Sequence, residues 1–367
     1  MHGEVLIKEL KKVIPEAIFY GVGGPKMAAA GMEVFFDTLS RSTLGFVEAL
    51  KNIRRMTKLI DEIDKEWERR RPDLMIWLDS GGFNLPLAKR AKEREIPVVC
   101  MFSPSAWAYG EDRAVKLAER IKLLLAVLPF EADFYRKFGA NVTYVGHPLI
   151  DRVGNPEPTE FRKRLKLNPG QKLVALMPGS RRQEIINLLP LMLETAQELS
   201  RDLDIKWVLP IAASINRDWL LSMIKPYRIS LEIITEGVYD LLAATDGAVI
   251  ASGTATLEAA ILNTPMVVIY RISKLSFFIY RRLESKEHKA KQLLIGLPNI
   301  VMGREIVPEL IQEQLTTQNI SDRLKKILID TQYNEKLRAE LNTVKEMIGP
   351  GEVMRRAAKE IVKIIDN

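Results

Sequence analysis

The chain has 367 residues, more than one hydrophobic core ordinarily holds, so two domains are expected. Its 54 Lys and Arg against 47 Asp and Glu give a net charge of +7, which favours an acidic partner such as a phosphorylated substrate or an anionic lipid surface; nucleic acid fits poorly, because the basic residues are spread along the chain without stacking aromatics or a recognisable module. One cysteine excludes an intramolecular disulfide framework, three histidines without zinc-site spacing argue against a metal-dependent hydrolase, and the lack of both a twenty-residue apolar run and a hydrophobic N-terminal signal argues against a spanning or exported protein.

In the first half, strands are predicted at 17–20, 74–78, 98–101, 123–127 and 142–145, with helices such as 85–94 and 130–138 between them. Alternation of this kind builds a parallel sheet covered by helices on both faces. Between the first two strands, the stretch 42–60 carries Phe46, Val47, Leu50, Ile53, Met56 and Ile60 at helical spacing, with Lys51, Arg54, Arg55 and Lys58 among them. Such a basic amphipathic helix either packs on its own core or lies at an anionic membrane interface, where each basic residue contributes about 1 kcal/mol. Asp79 follows the second strand and precedes Ser80-Gly81-Gly82-Phe83-Asn84. A partly desolvated carboxylate at the carboxyl rim of an apolar strand suits a general base; capping the helix near Leu85, or holding the glycine turn, is the alternative. Cys100, inside Val98-Val99-Cys100-Met101, reads as a buried structural thiol.

The polar, Pro-rich segment Gly154-Asn155-Pro156-Glu157-Pro158 reads as a linker between domains over 1–153 and 159–345. A second series of strands follows at 173–176, 205–209, 231–234, 247–250 and 266–269. The fold class is therefore α/β, with two doubly wound Rossmann-like domains whose ligands sit at the carboxyl ends of strands and whose shared cleft is the expected active site. Two strand-to-helix turns are suited to anions. In the first, Gly179 and Ser180 allow backbone N–H groups to approach a phosphate and Arg181 adds a cationic fork, unless the turn is simply an exposed helix cap. In the second, Ser252, Gly253 and Thr254 open a helix in which Glu258 stands one turn along, within reach of sugar hydroxyls. A ribonucleoside diphosphate fits this pair of turns, although Ser-Gly-Thr is also an ordinary capped turn.

The segments Gly23-Gly24-Pro25-Lys26-Met27, Leu44-Gly45-Phe46-Val47-Glu48, Ser103-Pro104-Ser105-Ala106-Trp107-Ala108-Tyr109, Leu128-Pro129-Phe130-Glu131, Val145-Gly146-His147-Pro148-Leu149, Met177 to Arg181, Ala251 to Glu258 and Leu297 to Glu305 occur in order along nearly the whole chain. With them the sequence resembles the lipid-A-disaccharide synthases, inverting glycosyltransferases of the GT-B fold. The resemblance implies transfer of a 2,3-diacylglucosamine unit from its UDP donor to the 6-hydroxyl of 2,3-diacylglucosamine 1-phosphate, giving a β-1,6-linked disaccharide and UDP with neither metal nor other cofactor. It makes Asp79 the base, Arg181 a partner for phosphate charge and Glu258 the ribose contact. Asn299 and Glu305 would complete the donor side, against plainer roles as a turn residue after Pro298 and a first-turn carboxylate. Acylated substrates further imply a peripheral enzyme on the cytoplasmic face of the inner membrane, which favours Phe46, Val47, Leu50, Arg54 and Arg55 as membrane contacts. The family also implies a C-terminal helix over 346–367 crossing back to the first domain, and a homodimer formed through the C-terminal region. The aromatic, basic stretch 273–282 is better suited to an interdomain helix than to a second membrane contact.

Three departures from the family pattern stand out. Met1 to Ile7 looks like the start of a first helix, so the strand and Ser-Gly-Glu-x-Ser-Gly-Asp loop that precede it in the family are expected to be missing, through a misplaced start or a real shortening. The stretch Ser80 to Asn84 lacks a further acidic residue, leaving Asp79 alone, and 284–292 is unusually long and charged. Two other classes compete: a GT-B transferase or epimerase for another UDP-amino sugar, and a catalytically silent lipid- or nucleotide-binding protein.

Overall fold

The computed structural model describes residues 2–37, 46–79, 81–109, 111–271 and 294–366, without the side chains of 36–55 and 108–109. The chain forms two compact units, Met1–Pro148 with Gly349–Asn367, and Leu149–Ile348.

In the first unit β1 (Phe19–Gly23) pairs in parallel with β2 (Met32–Asp37), and β3 (Met75–Leu78), β4 (Val98–Met101), β5 (Leu123–Ala126) and β6 (Val142–Tyr144) form a parallel sheet in that order. Strands β4 and β5 are buried at every residue, as unbroken apolar runs require when helices cover both faces. The core gathers Trp77, Cys100, Leu124 and Tyr135 with Leu87, Ala88 and Ala91 of the helix Gly81–Glu93. Helix Phe46–Arg70 buries Ile60, Ile63 and Trp67 in the same core, and Arg94 holds that half of it through a two-pronged contact with Asp64 (2.6 and 3.0 Å). The side chains of Phe46, Val47, Leu50, Arg54 and Arg55 lie outside the described residues, as do the stretches 273–282 and 284–292. The last helix, Val353–Ile365, buries Val353, Met354, Ala357, Ala358 and Ile361, a stripe at 3.6-residue spacing that packs on the helix His2–Val13. Arg356 donates to the carbonyls of Val145 and Pro350, each at 2.6 Å, which fastens the returning chain to the end of β6.

The second unit carries one six-stranded parallel sheet built from β7 (Lys172–Met177), β8 (Ile205–Pro210), β9 (Leu231–Ile234), β10 (Gly247–Ala251), β11 (Met266–Tyr270) and β12 (Glu309–Ile311). Its order is β12-β11-β10-β7-β8-β9, so the winding reverses between β7 and β10. In a doubly wound sheet that reversal opens a crevice at the carboxyl ends of the two strands.

Several boundaries differ from the expectation. The first strand starts at Phe19, because Ile18 is 81% exposed, and it continues through Gly21 and Gly23, which a search for apolar runs stops short of. Strands β2 and β12 go unpredicted, since Glu33 interrupts one and the other is three residues long with a buried Glu309. The helix expected from Leu85 begins at Gly81, which places Pro86 inside it, where one backbone hydrogen bond is given up. The chain enters the second unit at Leu149 rather than at the Pro-rich segment, because Leu149 and Val153 are buried against the helix Thr254–Ile261. Gly154 to Pro158 is thus internal to that unit, with Glu157 N–H donating to Asp240 (2.8 Å), and Ile348 remains in its core. Among the described residues no helix is long and apolar enough to cross a membrane.

Candidate active site

Both anion-suited turns lie at the reversal of the second sheet, one after β7 and one after β10. Gly179 has φ 105°, and a β-carbon there would stand 2.3 Å from Glu184 Oε2, so the turn admits no side chain. Glu184 reaches back to the start of its helix, accepting from Arg181 N–H at 3.3 Å and pairing with the Arg181 guanidinium at 2.7 Å. The arginine end of that pair is highly exposed, at 80%, so the pair is worth less than about 1 kcal/mol and a phosphate can outcompete it. The Ser180 carbonyl accepts from Ser214 Oγ at 3.2 Å, which ties the turn to the loop after β8.

The second turn is anchored from behind. Ser252 N–H donates to Ile269 O at 2.9 Å and its hydroxyl to Ile295 O at 2.7 Å, so the Ser252 side chain fixes the loop instead of facing a ligand. Gly253 (φ 152°) adopts a conformation that side chains disfavour, and exposed Thr254 opens the helix Thr254–Ile261, whose first N–H groups have no carbonyl within the helix to bond. One turn on, Glu258 keeps 13% of its side chain accessible. The Tyr239 hydroxyl donates to Glu258 Oε1 at 3.0 Å and Arg152 Nη1 stands 3.7 Å from the same oxygen. Burial, followed by the neighbouring Glu258 charge, pushes the Tyr239 hydroxyl up to about 12, so it remains a donor. Neither Tyr239 nor Arg152 is visible as a partner of Glu258 in the sequence, because no motif spans the separations involved.

The other two expected donor-side residues, Asn299 and Glu305, differ in burial. Asn299 is fully buried: its amide N–H groups donate to Val307 O (2.9 Å) and Glu309 Oε1 (2.7 Å), and its oxygen accepts from Ile306 N–H (2.7 Å) and Val307 N–H (3.0 Å). Its amide, spent at both ends, ties the helix Leu297–Met302 to the segment that leads into β12. Glu305, three residues beyond the end of that helix, is exposed.

In the first unit Asp79 ends β3 in the left-handed region (φ 57°), which costs a non-glycine residue about 1 kcal/mol. Its carbonyl accepts from Trp77 Nε1 and Asn84 Nδ2, both at 2.6 Å, and its N–H donates to Met101 O at 3.2 Å. These backbone bonds hold the turn. Asp79 itself is exposed within its unit, whereas partial desolvation was expected. A β-carbon on Gly81 would lie 2.6 Å from Pro104 Cγ, so the segment after β4 presses directly on this turn.

Beside it lies a buried polar cluster. Glu131, on helix Pro129–Arg136, is 5% exposed; its Oε2 accepts from Leu128 N–H at 3.3 Å, and burial pushes its carboxyl up to about 7. Ser103 Oγ and Trp107 Nε1 are buried next to that carboxyl, and neither closes a hydrogen bond. Tyr135 donates to Pro104 O, and burial raises its hydroxyl and the Cys100 thiol. His147, after β6, is held down at about 4 by burial and then by His2, so it is neutral near pH 7. Ser103, Trp107, Glu131 and His147 fall in the family-like segments, yet a single acid or imidazole in apolar company has no spacing signature. Among the described residues no group of three or more His, Cys, Asp or Glu is disposed to hold a metal ion.

A family model described as lipid-A-disaccharide synthetase matches residues 1–365. The lipid-A-disaccharide synthase of Geobacter sulfurreducens is 35% identical over 370 residues, covering 100% of this chain and 94% of that one. That of Nitrosococcus oceani is 37% identical over 352 residues, covering 95% and 89%. Among solved structures, the S. aureus MnaA–UDP co-structure superposes with a TM-score of 0.61 at 13% identity over 100% of this chain and 96% of that one. The calicheamicin glycosyltransferase CalG4 gives 0.60 at 14% identity over 99% and 94%. Likeness at such low identity is likeness of fold, and the fold is GT-B. Matched from residue 1 to 365 by the family model and by relatives over nearly its whole length, the chain belongs to the lipid-A-disaccharide synthase family.

Proposed function

We propose that the protein transfers a 2,3-diacylglucosamine unit from its UDP donor to the 6-hydroxyl of 2,3-diacylglucosamine 1-phosphate, forming the β-1,6-linked lipid A disaccharide and releasing UDP. The observation that carries the donor half is the pairing of two glycine turns at the reversal between β7 and β10, with the Glu258 carboxylate fixed one turn beyond. In this reading the diphosphate lies against Gly179, Ser180 and the N–H groups of Gly253 and Thr254. The helix N-termini and Arg181 stabilise the charge that grows on the departing UDP. Both contacts on Glu258 fall on Oε1, which leaves Oε2 to accept from a ribose hydroxyl.

The acceptor half rests on Asp79. Its carboxylate takes the proton of the 6-hydroxyl as that oxygen attacks the anomeric carbon, the anomeric C–O bond to UDP breaks on the opposite face, and configuration inverts. Acylated substrates suit an enzyme held peripherally on an anionic membrane surface, at the cytoplasmic face of the inner membrane, with Phe46, Val47, Leu50, Arg54 and Arg55 as contacts. A homodimer through the C-terminal region belongs to the same reading. The direct test is UDP release by purified protein supplied with both diacylated sugars, compared with their unacylated counterparts. Turnover with the diacylated pair alone is expected; equal turnover of unacylated sugars would point to another UDP-amino-sugar enzyme.

A further inference from the structure

Glu131 is a buried acid outside the chemistry described so far. Among the described residues, its carboxyl accepts from Leu128 N–H at 3.3 Å and lies beside the N–H of Val127, the hydroxyl of Ser103 and the indole N–H of Trp107, the last two buried without a closed hydrogen bond of their own. The two backbone N–H groups and the indole N–H can only donate and the serine hydroxyl can do so, a set that an ionised carboxylate can accept in full. Ser103 and Trp107 bracket Pro104, which abuts Gly81, and Gly81 lies two residues beyond Asp79. The same helix grips the bracketed segment twice more, through Tyr135 to the Pro104 carbonyl and through Phe130 edge-to-face with the Trp107 ring at 5.1 Å. From the other side, Asp79 N–H is bonded to Met101 at the end of β4. A continuous path of packed contacts thus joins the Glu131 carboxyl to the turn that carries the base.

We propose that Glu131 is a positioning residue for the transfer, acting through Ser103 and Trp107 to fix the segment after β4 against the Asp79 turn. The inference rests on Asp79 serving as the base. Because the carboxyl titrates at about 7, the ordered form gains population as pH rises through neutrality. The other ionisable groups facing it are Cys100 from β4, Tyr135 from its own helix and Tyr144 from β6, all raised by burial and uncharged in that range.

The test uses the full-length protein with both diacylated sugars, comparing wild type with Glu131→Gln, which cannot ionise, and Trp107→Phe, which keeps the ring contact and removes the N–H. Melting curves establish that each variant folds. Expected for both is a kcat lowered about tenfold or more at pH 8 with donor KM within about twofold, as for a misplaced catalytic group. Glu131→Gln additionally loses the part of the pH profile that rises through about 7. Wild-type kcat and an unaltered pH profile in the folded variants would overturn the inference. Should Glu131→Gln not fold, Trp107→Phe decides alone by the kcat and KM comparison. Wild-type protein that releases no UDP would overturn the functional reading and this inference together, whereas turnover untouched by the variants overturns this inference alone.

Discussion

Tyr239 and Glu258 are joined by a 3.0 Å hydrogen bond across 19 residues of chain, and the oxygen it engages also faces Arg152 at 3.7 Å. One carboxylate oxygen is thereby fixed in place before any ligand arrives. Glu258→Ala is expected to weaken UDP binding by about 1–3 kcal/mol, the value of a charge-assisted hydrogen bond. Tyr239→Phe should cost less, about 1 kcal/mol, because it loosens the carboxylate without removing it. Calorimetric titration with UDP measures both, and unchanged affinity in Glu258→Ala would return that residue to a structural role.

Asp79→Asn is expected to abolish turnover while UDP affinity and melting temperature stay near wild type. The hydrogen bonds with Trp77, Asn84 and Met101 use the Asp79 backbone, and Asn tolerates the left-handed conformation at φ 57°. Asp79→Ala should be equally inactive but less stable by about 1 kcal/mol, since alanine lacks that tolerance. Rates near wild type in either variant would remove Asp79 as the base.

Asn299→Ala should lower stability by about 3 kcal/mol or more, because it strips partners from the buried Glu309 carboxylate and from the Ile306 and Val307 amides. Where the variant is folded, its UDP affinity should match wild type. A selective loss of UDP binding with normal stability would show instead that the amide faces the ligand.

Glu131 and His147 pull stability in opposite directions with pH. The Glu131 carboxyl, raised from 4.5 to about 7, binds its proton more tightly in the folded chain, so stability is lost as pH rises through that window. His147, lowered from 6.5 to about 4, binds a proton more readily when unfolded, so stability is lost as pH falls through its window. Each effect is on the order of 3 kcal/mol, and between about 4.5 and 6.5 they offset one another. Thermal melts across this range should be nearly flat for wild type, rise with pH for Glu131→Gln and fall with pH for His147→Gln. Parallel curves for all three would show that neither group is perturbed by burial.

Gly179→Ala should destabilise by about 1–3 kcal/mol and weaken UDP binding, since a β-carbon meets Glu184 and the residue has positive φ. Melting and UDP titration of this variant report on the turn separately from Arg181.

Local patterns were legible before any coordinates. Alternating apolar runs and helical stretches specify a doubly wound α/β chain, because backbone periodicity is written between neighbouring residues. Strand-Gly-helix turns at Gly179 and Gly253, and an acid closing β3, could be read for the same reason, and ordered segments along the chain carried the family. Tertiary structure decided the rest. It set the two turns side by side by pairing β7 with β10, strands about seventy residues apart, and it buried Asn299 among backbone groups that no spacing rule connects. It also set Ser103 and Trp107, from the segment after β4, beside Glu131 at the start of its own helix. Burial and hydrogen-bond partnership depend on which distant segments meet, so the environments of Glu258, Asn299 and Glu131 exist only once the chain has folded.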